Sequence, residues 1–247
     1  MSVVQQDADA LDFGCLATPV ARGLRGLQAR WVDRIKRAAL VRLHRSRRGE
    51  RLLLRMYLVG EDATERALLD ELMPQSPEWL DRQIERHLAD ERRHVALFAD
   101  ALRRAGDDGT GRMEPDWLSR RKIQRWRRLS HAYAGHFSHG LLVPAFATGL
   151  CAEQMAERVL ARHCDVIGAE HAMYPLLSQV LGDEKAHVRV CGNTLRRLVA
   201  PDEVPALARL LKDIRAVDAG FGVTGALAMY VAGWVFGGLR GTGAGDR

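Results

Sequence analysis

Asp90-Glu91-Arg92-Arg93-His94 and Asp183-Glu184-Lys185-Ala186-His187 are two copies of one string, Asp-Glu-x-x-His, 93 residues apart. On a helix, residues i and i+3 share a face, so each string aims a carboxylate and an imidazole at one point. A second matching pair lies upstream: Glu61-x-x-x-Glu65-Arg66 and Glu153-x-x-x-Glu157-Arg158, at an offset of 92 residues. Two features repeating at nearly one spacing mark a duplicated half-site. Glu61, Glu91, His94, Glu153, Glu184 and His187 are therefore candidate ligands for two divalent ions roughly 3.5–4 Å apart. Glu65 and Glu157 sit one turn further along the same faces and stand as alternates to Glu61 and Glu153. Hard carboxylates combined with imidazoles suit iron or manganese.

These residues need four helices to position them. Apolar periodicity predicts helices over about 24–46, 51–72, 78–104, 116–132, 141–164 and 172–199, with a final helical stretch starting at Pro201. Pro74-Gln75-Ser76-Pro77 breaks the second helix, with Ser76 as N-cap and Pro77 at the first position of the next. Residues 106–111, Gly-Asp-Asp-Gly-Thr-Gly, read as a flexible crossover loop. From Glu61 to Glu91 is 30 residues and from Glu153 to Glu184 is 31. In each half a helix runs out, turns and returns, which sets its two glutamates at similar height on antiparallel neighbours. The expected fold is all-α, a four-helix bundle with a long crossover and extra N- and C-terminal helices. Residues 1–20 read as a flexible arm, 21–215 as the bundle, and 216–247 as an apolar, glycine-rich helix and tail.

One Glu, then Glu-x-x-His, twice over, resembles the ligand pattern of the ferritin-like di-iron carboxylate superfamily, across about residues 50–200. The Asp preceding each ligand Glu looks most like the bacterial multicomponent monooxygenases. That resemblance implies that Asp90 and Asp183 accept the free ring N–H of His187 or His94 and so fix its orientation. It implies two Fe ions (or Mn, or a mixed Mn/Fe pair) that activate O2 to oxidise or hydroxylate an organic, apolar substrate. An external electron donor would be required, since no flavin or nucleotide fingerprint is visible. A ferroxidase or iron-storage protein and a tRNA-modifying hydroxylase are the alternatives. The positions one and two turns before Glu61 and Glu153 are apolar (Leu54, Leu58, Phe146, Gly149, Leu150), apart from the phenol of Tyr57. That composition suits an organic substrate better than a wet cation route. Tyr57 stands as a candidate catalytic residue, or as a satisfied buried tyrosine. His87, one turn before Glu91 on the same stripe, is an extra-ligand candidate, with a hydrogen-bonded core or boundary histidine as the favoured reading.

The remaining composition bounds the setting. The net charge of +6 is uneven: twelve Lys/Arg lie between Arg22 and Arg55 against Asp33 and Glu50, and a second basic run spans residues 120–128. Such stripes fit anionic lipid headgroups, nucleic acid or an acidic partner, or simply a solvated face; nucleic acid is not the expected partner. Four cysteines without C-x-x-C spacing read as reduced core thiols in a cytoplasmic protein. His131, His136 and His139 read as part of a connector. Residues 219–239 carry no charge. They fit a helix packed on the bundle or in a homodimer interface, a membrane-surface contact, or a spanning helix.

Overall fold

The computed structural model describes residues 13–107 and 115–237, and all regular structure among them is helical. Seven α-helices follow in order: α1 (Gly23–Leu43), α2 (Arg47–Ala67), α3 (Glu78–Arg104), α4 (Trp117–Tyr133), α5 (Leu142–Ile167), α6 (Tyr174–Leu198) and α7 (Val204–Gly237). Ser46 caps α2 by accepting from the Gly49 amide at 3.0 Å, and Asp116 caps α4 through the amides of Leu118 and Ser119. The last turn of α2 loosens into a π-helical segment, Leu68–Leu72, before Pro74 ends it.

Two apolar layers reveal the helix directions. One contains Leu68 and Leu72 after α2, Ile84 and Leu88 of α3, Phe146 and Leu150 of α5, and Cys191 and Leu195 of α6. The other contains Leu54 and Leu58 of α2, Phe98 and Leu102 of α3, Leu160 and Cys164 of α5, and Leu177 and Val180 of α6. So α2 and α6 run from the second layer to the first, while α3 and α5 run the opposite way. α2–α3 and α5–α6 are thus antiparallel hairpins, each packed along its length. Because α3 and α5 run the same way, the chain must travel back along the molecule between them. α4 lies in that stretch and packs on α5 and α7. The polar side chains at Glu61, Glu91, Glu153 and Glu184 fall between the two apolar layers.

Three expectations change. Residues 1–12 and 108–114, part of the expected arm and crossover loop, lie outside the described residues. The end of the arm is not loose: Leu16 is buried, its carbonyl accepts from Gln154 at 2.8 Å, and Arg215 donates to the carbonyls of Cys15 and Ala17. There is also no break near residue 216, since α7 is one helix from Val204 to Gly237; the charged and apolar stretches differ in composition but no breaker separates them. Finally, α3 starts one residue later than its cap signal suggests, with Pro77 at the N-cap. The Ser76 hydroxyl donates instead to the Asp81 carboxylate.

Candidate metal centre

Glu61 on α2, Glu91 and His94 on α3, Glu153 on α5, and Glu184 and His187 on α6 are all buried and converge between the apolar layers. Their ligand atoms form two overlapping groups. Glu61, Glu91, His94 and Glu184 make one; Glu91, Glu153, His187 and His87 make the other. Within each, the candidate atoms lie within 4.8 Å of one another, and Glu91 belongs to both. Glu184 spans the groups as well, with Oε1 3.7 Å from His94 Nδ1 and Oε2 3.8 Å from His187 Nδ1. Two carboxylates thus occupy the positions from which a side chain can bridge neighbouring ions.

Both histidines present Nδ1 to this centre and Nε2 to an aspartate. His94 Nε2 is 3.1 Å from Asp183 Oδ2, and His187 Nε2 is 3.4 Å from Asp90 Oδ2. Each imidazole therefore pairs with the aspartate of the opposite string. A ring N–H donated to carboxylate leaves the other nitrogen's lone pair for an ion. Arg93 clamps the two aspartates together, donating to Asp90 at 2.7 Å and Asp183 at 2.9 Å. Glu65 and Glu157 lie outside both groups. The Glu65 carboxylate is instead drawn to Arg92, at 3.1 Å. The cause is geometric: one helical turn beyond Glu61, it reaches the flank of α3 where Arg92 stands.

His87 is the buried, hydrogen-bonded histidine expected, and it lies in the centre itself. Its Nε2 is 3.1 Å from Glu91 Oε1 and 3.2 Å from Glu153 Oε1, and its ring lies 3.8 Å from that of His187. The His-x-x-x-Glu-x-x-His spacing from 87 to 94 was the available signal.

Four glutamates in one buried layer cannot all be ionised without compensation. Burial, with the neighbouring Glu153, Glu61 and Glu184, pushes the Glu91 carboxyl well above the usual range. Burial and contact with Glu153 push Glu184 up to about 10. For Glu153 burial pushes upward too, but contacts with Glu184, His187 and His87 outweigh it and hold the carboxyl low. Burial opposes the charge on His187, yet Glu153 and Glu184 overcome it and raise the imidazole to about 10. His94 is raised against burial by Glu61 and Asp183. Protons on glutamates and histidines thus balance the layer's charge.

Among the described residues, three of the buried side-chain atoms without a hydrogen-bond partner belong to this centre: Glu91 Oε2, Glu184 Oε2 and His187 Nδ1. Buried polar atoms are normally satisfied, and once their protons leave, these atoms would share one space that fits cations. The donor set, oxygen-rich with imidazole nitrogen, fits iron or manganese.

Tyr57 points away from the centre into a second polar chain. Its hydroxyl is 2.8 Å from His163 Nδ1; His163 Nε2 is 2.6 Å from His44 Nε2; His44 Nδ1 is 3.2 Å from Glu50 Oε1. One set of tautomers satisfies every link. Tyr57 donates to His163, His163 donates to His44, and His44 donates to Glu50. His171 also faces Glu50, at 3.5 Å. Its Nδ1 accepts from the Met173 amide, which leaves the proton of the neutral ring on Nε2. His44, Glu50 and His171 gather like metal ligands, but these donors and acceptors account for the group without an ion. Burial, with the facing His44 and His171, holds His163 down at about 3, so it is neutral. Burial raises the Tyr57 phenol, helped by Cys164 and Glu61.

The apolar residues one and two turns before Glu61 and Glu153 divide between the two layers. Phe146 and Leu150 pack in one, and Leu54 and Leu58 in the other. Compared with known proteins, the chain matches no protein-family model, no curated protein and no solved structure.

Proposed function

We propose that this chain is a ferritin-like di-metal oxidase or oxygenase that binds two ions, iron first, between α2, α3, α5 and α6. The observation that carries this reading is the buried layer of four glutamates and two histidines with three unpartnered atoms inside it. Glu61, His94 and Glu184 would hold one ion, Glu153 and His187 the other, and Glu91 and Glu184 would lie between them. His87 stands beside the second position. When bound and reduced, such a pair supplies electrons to O2 and the oxidising power for an organic substrate.

The protein's own contribution is electrostatic and positional. Asp90 and Asp183, tied by Arg93, hold His187 and His94 with Nδ1 inward. The apolar layers on either side exclude water and favour an apolar substrate over hydrated cations. The charge balance supports divalent ions in particular. The metal-free layer favours the proton-bound forms of Glu91, Glu184 and His187, and divalent ions would take the place of those protons.

The test is anaerobic loading with Fe(II) followed by O2 consumption. The reading expects rapid O2 uptake that depends on Glu91 and Glu184 and is coupled to oxidation of an added apolar substrate. O2 uptake yielding only stored ferric mineral would favour iron storage. No metal-dependent uptake at all would remove the oxygenase reading.

A further inference from the structure

α7 is long and apolar enough, by length and composition, to cross a membrane, yet only 11% of its most apolar stretch is buried against the rest of the chain. A core helix of similar composition would be mostly buried. Residues 219–236 carry no charge. Leu227, Val231, Trp234 and Val235 are 52–60% exposed and recur at i, i+4, i+7 and i+8, which is one helix face.

The opposite face is already occupied. Met229, Ala232 and Phe236 pack against Leu40, Leu43 and Leu53. Gly233 permits a close approach to α1: a Cβ there would stand 3.2 Å from Arg42 Cβ and 3.3 Å from the Ala39 carbonyl. Arg42 sits 3.8 Å from the Trp234 ring centre and 4.9 Å from that of Tyr230. A helix fixed along one side in this way cannot be surrounded by lipid, but it can lie on lipid with the other.

Charge selects the occupant. α7 packs against both α1 and α4. α1 carries six Lys/Arg with only Asp33 in return, and α4 carries six with no acidic residue. Exposed Trp31 and Trp117 lie on these same helices; tryptophan favours the boundary between headgroups and acyl chains. A second copy of the chain, paired across α7, would set arginine-rich flanks against one another. An anionic lipid surface meets the flanks with opposite charge and the stripe with apolar chains.

We propose that the α7 face, flanked by α1 and α4, docks in plane on an anionic phospholipid membrane. This stands on different residues from the metal centre and does not require it.

Co-sedimentation of the full chain with vesicles tests it, using phosphatidylcholine alone and phosphatidylcholine mixed with phosphatidylglycerol. Wild type partitions about tenfold or more in favour of the phosphatidylglycerol vesicles, less so at high salt. Tryptophan emission shifts to the blue on binding, and the shift shrinks in Trp234→Phe. Val231→Glu weakens partitioning by about tenfold, the scale of losing one buried aliphatic side chain. Its thermal unfolding stays that of wild type, because Val231 is exposed. Equal or absent binding to both vesicles overturns the proposal, as does binding that Val231→Glu leaves unchanged. A wild-type dimer that Val231→Glu splits, without vesicle binding, assigns the face to a second copy instead. Glu184→Gln binds vesicles like wild type whatever its metal content, so failure here and failure of the metal reading are separate results.

Discussion

Replacing the buried Glu184 by glutamine should stabilise the metal-free protein while abolishing its stabilisation by metal. The Glu184 side chain is 1% exposed and its carboxyl is raised to about 10, so the folded metal-free chain holds a proton there at neutral pH. The unfolded chain releases that proton above about pH 4.3. A carboxyl whose folded pKa is raised makes the native state bind more protons, so stability falls as pH rises between the unfolded and folded values. At pH 7 the interval covered is about 2.7 units, and at about 1.4 kcal/mol per unit the ceiling is about 4 kcal/mol. Glutamine matches the protonated acid in shape and can donate to Glu153 without taking up a proton. Coupling to Glu153 and His187 shares the cost among several groups, so a gain of about 1–3 kcal/mol is expected, a rise of several degrees in Tm for a chain of this size. Urea or thermal unfolding followed by circular dichroism at pH 5, 6, 7 and 8 measures it. The gain should vanish near pH 4–5 and grow with pH. Adding Mn(II) or Fe(II) should reverse the order, since wild type gains from metal and the variant does not. A Glu184→Gln chain less stable than wild type at every pH, or equally stabilised by metal, would refute the charge balance assigned to this layer.

The same balance predicts proton release. Loading two divalent ions at neutral pH should discharge protons, from Glu91, Glu184 and His187 foremost, measurable by titration calorimetry in buffers of different ionisation enthalpy. His187 contributes to metal-free stability fully below about pH 6.5, and that contribution is lost as pH rises through about 10, so metal-free unfolding should become easier from pH 7 to 10. Asp183→Asn or Asp90→Asn should weaken metal affinity about 10–100-fold in chelator competition with the helical spectrum unchanged. Tyr57→Phe leaves His163 Nδ1 without its donor and should cost about 1–3 kcal/mol in urea unfolding, with metal stoichiometry intact.

The strings at 90–94 and 183–187 could be read directly because helical periodicity turns sequence spacing into a shared face. The echo at Glu61 and Glu153 extended that logic to all four helices, and the 30- and 31-residue intervals anticipated the antiparallel hairpins. His87 was legible as a hydrogen-bonded core histidine, but only the packed geometry shows that Glu91 and Glu153 are its partners. Arg93 carried no signal, because an arginine between two candidate ligands reads as solvated until the opposite aspartate is placed beside it. The Tyr57–His163–His44 chain joins residues 106 and 119 positions apart, and no periodicity connects them. In residues 219–237 of α7 the lack of charge was plain, but the sequence could not show which face packs on α1. Glycine supplied only an ambiguous clue: Gly233 marks the close contact, while Gly220, Gly222 and Gly225 have open space around them.

The most direct test of the central claim is metal stoichiometry and ion separation in the same sample. The purified full chain is loaded with Fe(II) or Mn(II), freed of loosely bound ions and measured by metal analysis and X-ray absorption. The account predicts two ions per chain, about 3.5–4 Å apart, with oxygen and imidazole neighbours, falling below one per chain in Glu91→Ala. One ion per chain without a metal neighbour, or a full complement retained in Glu91→Ala, would contradict it.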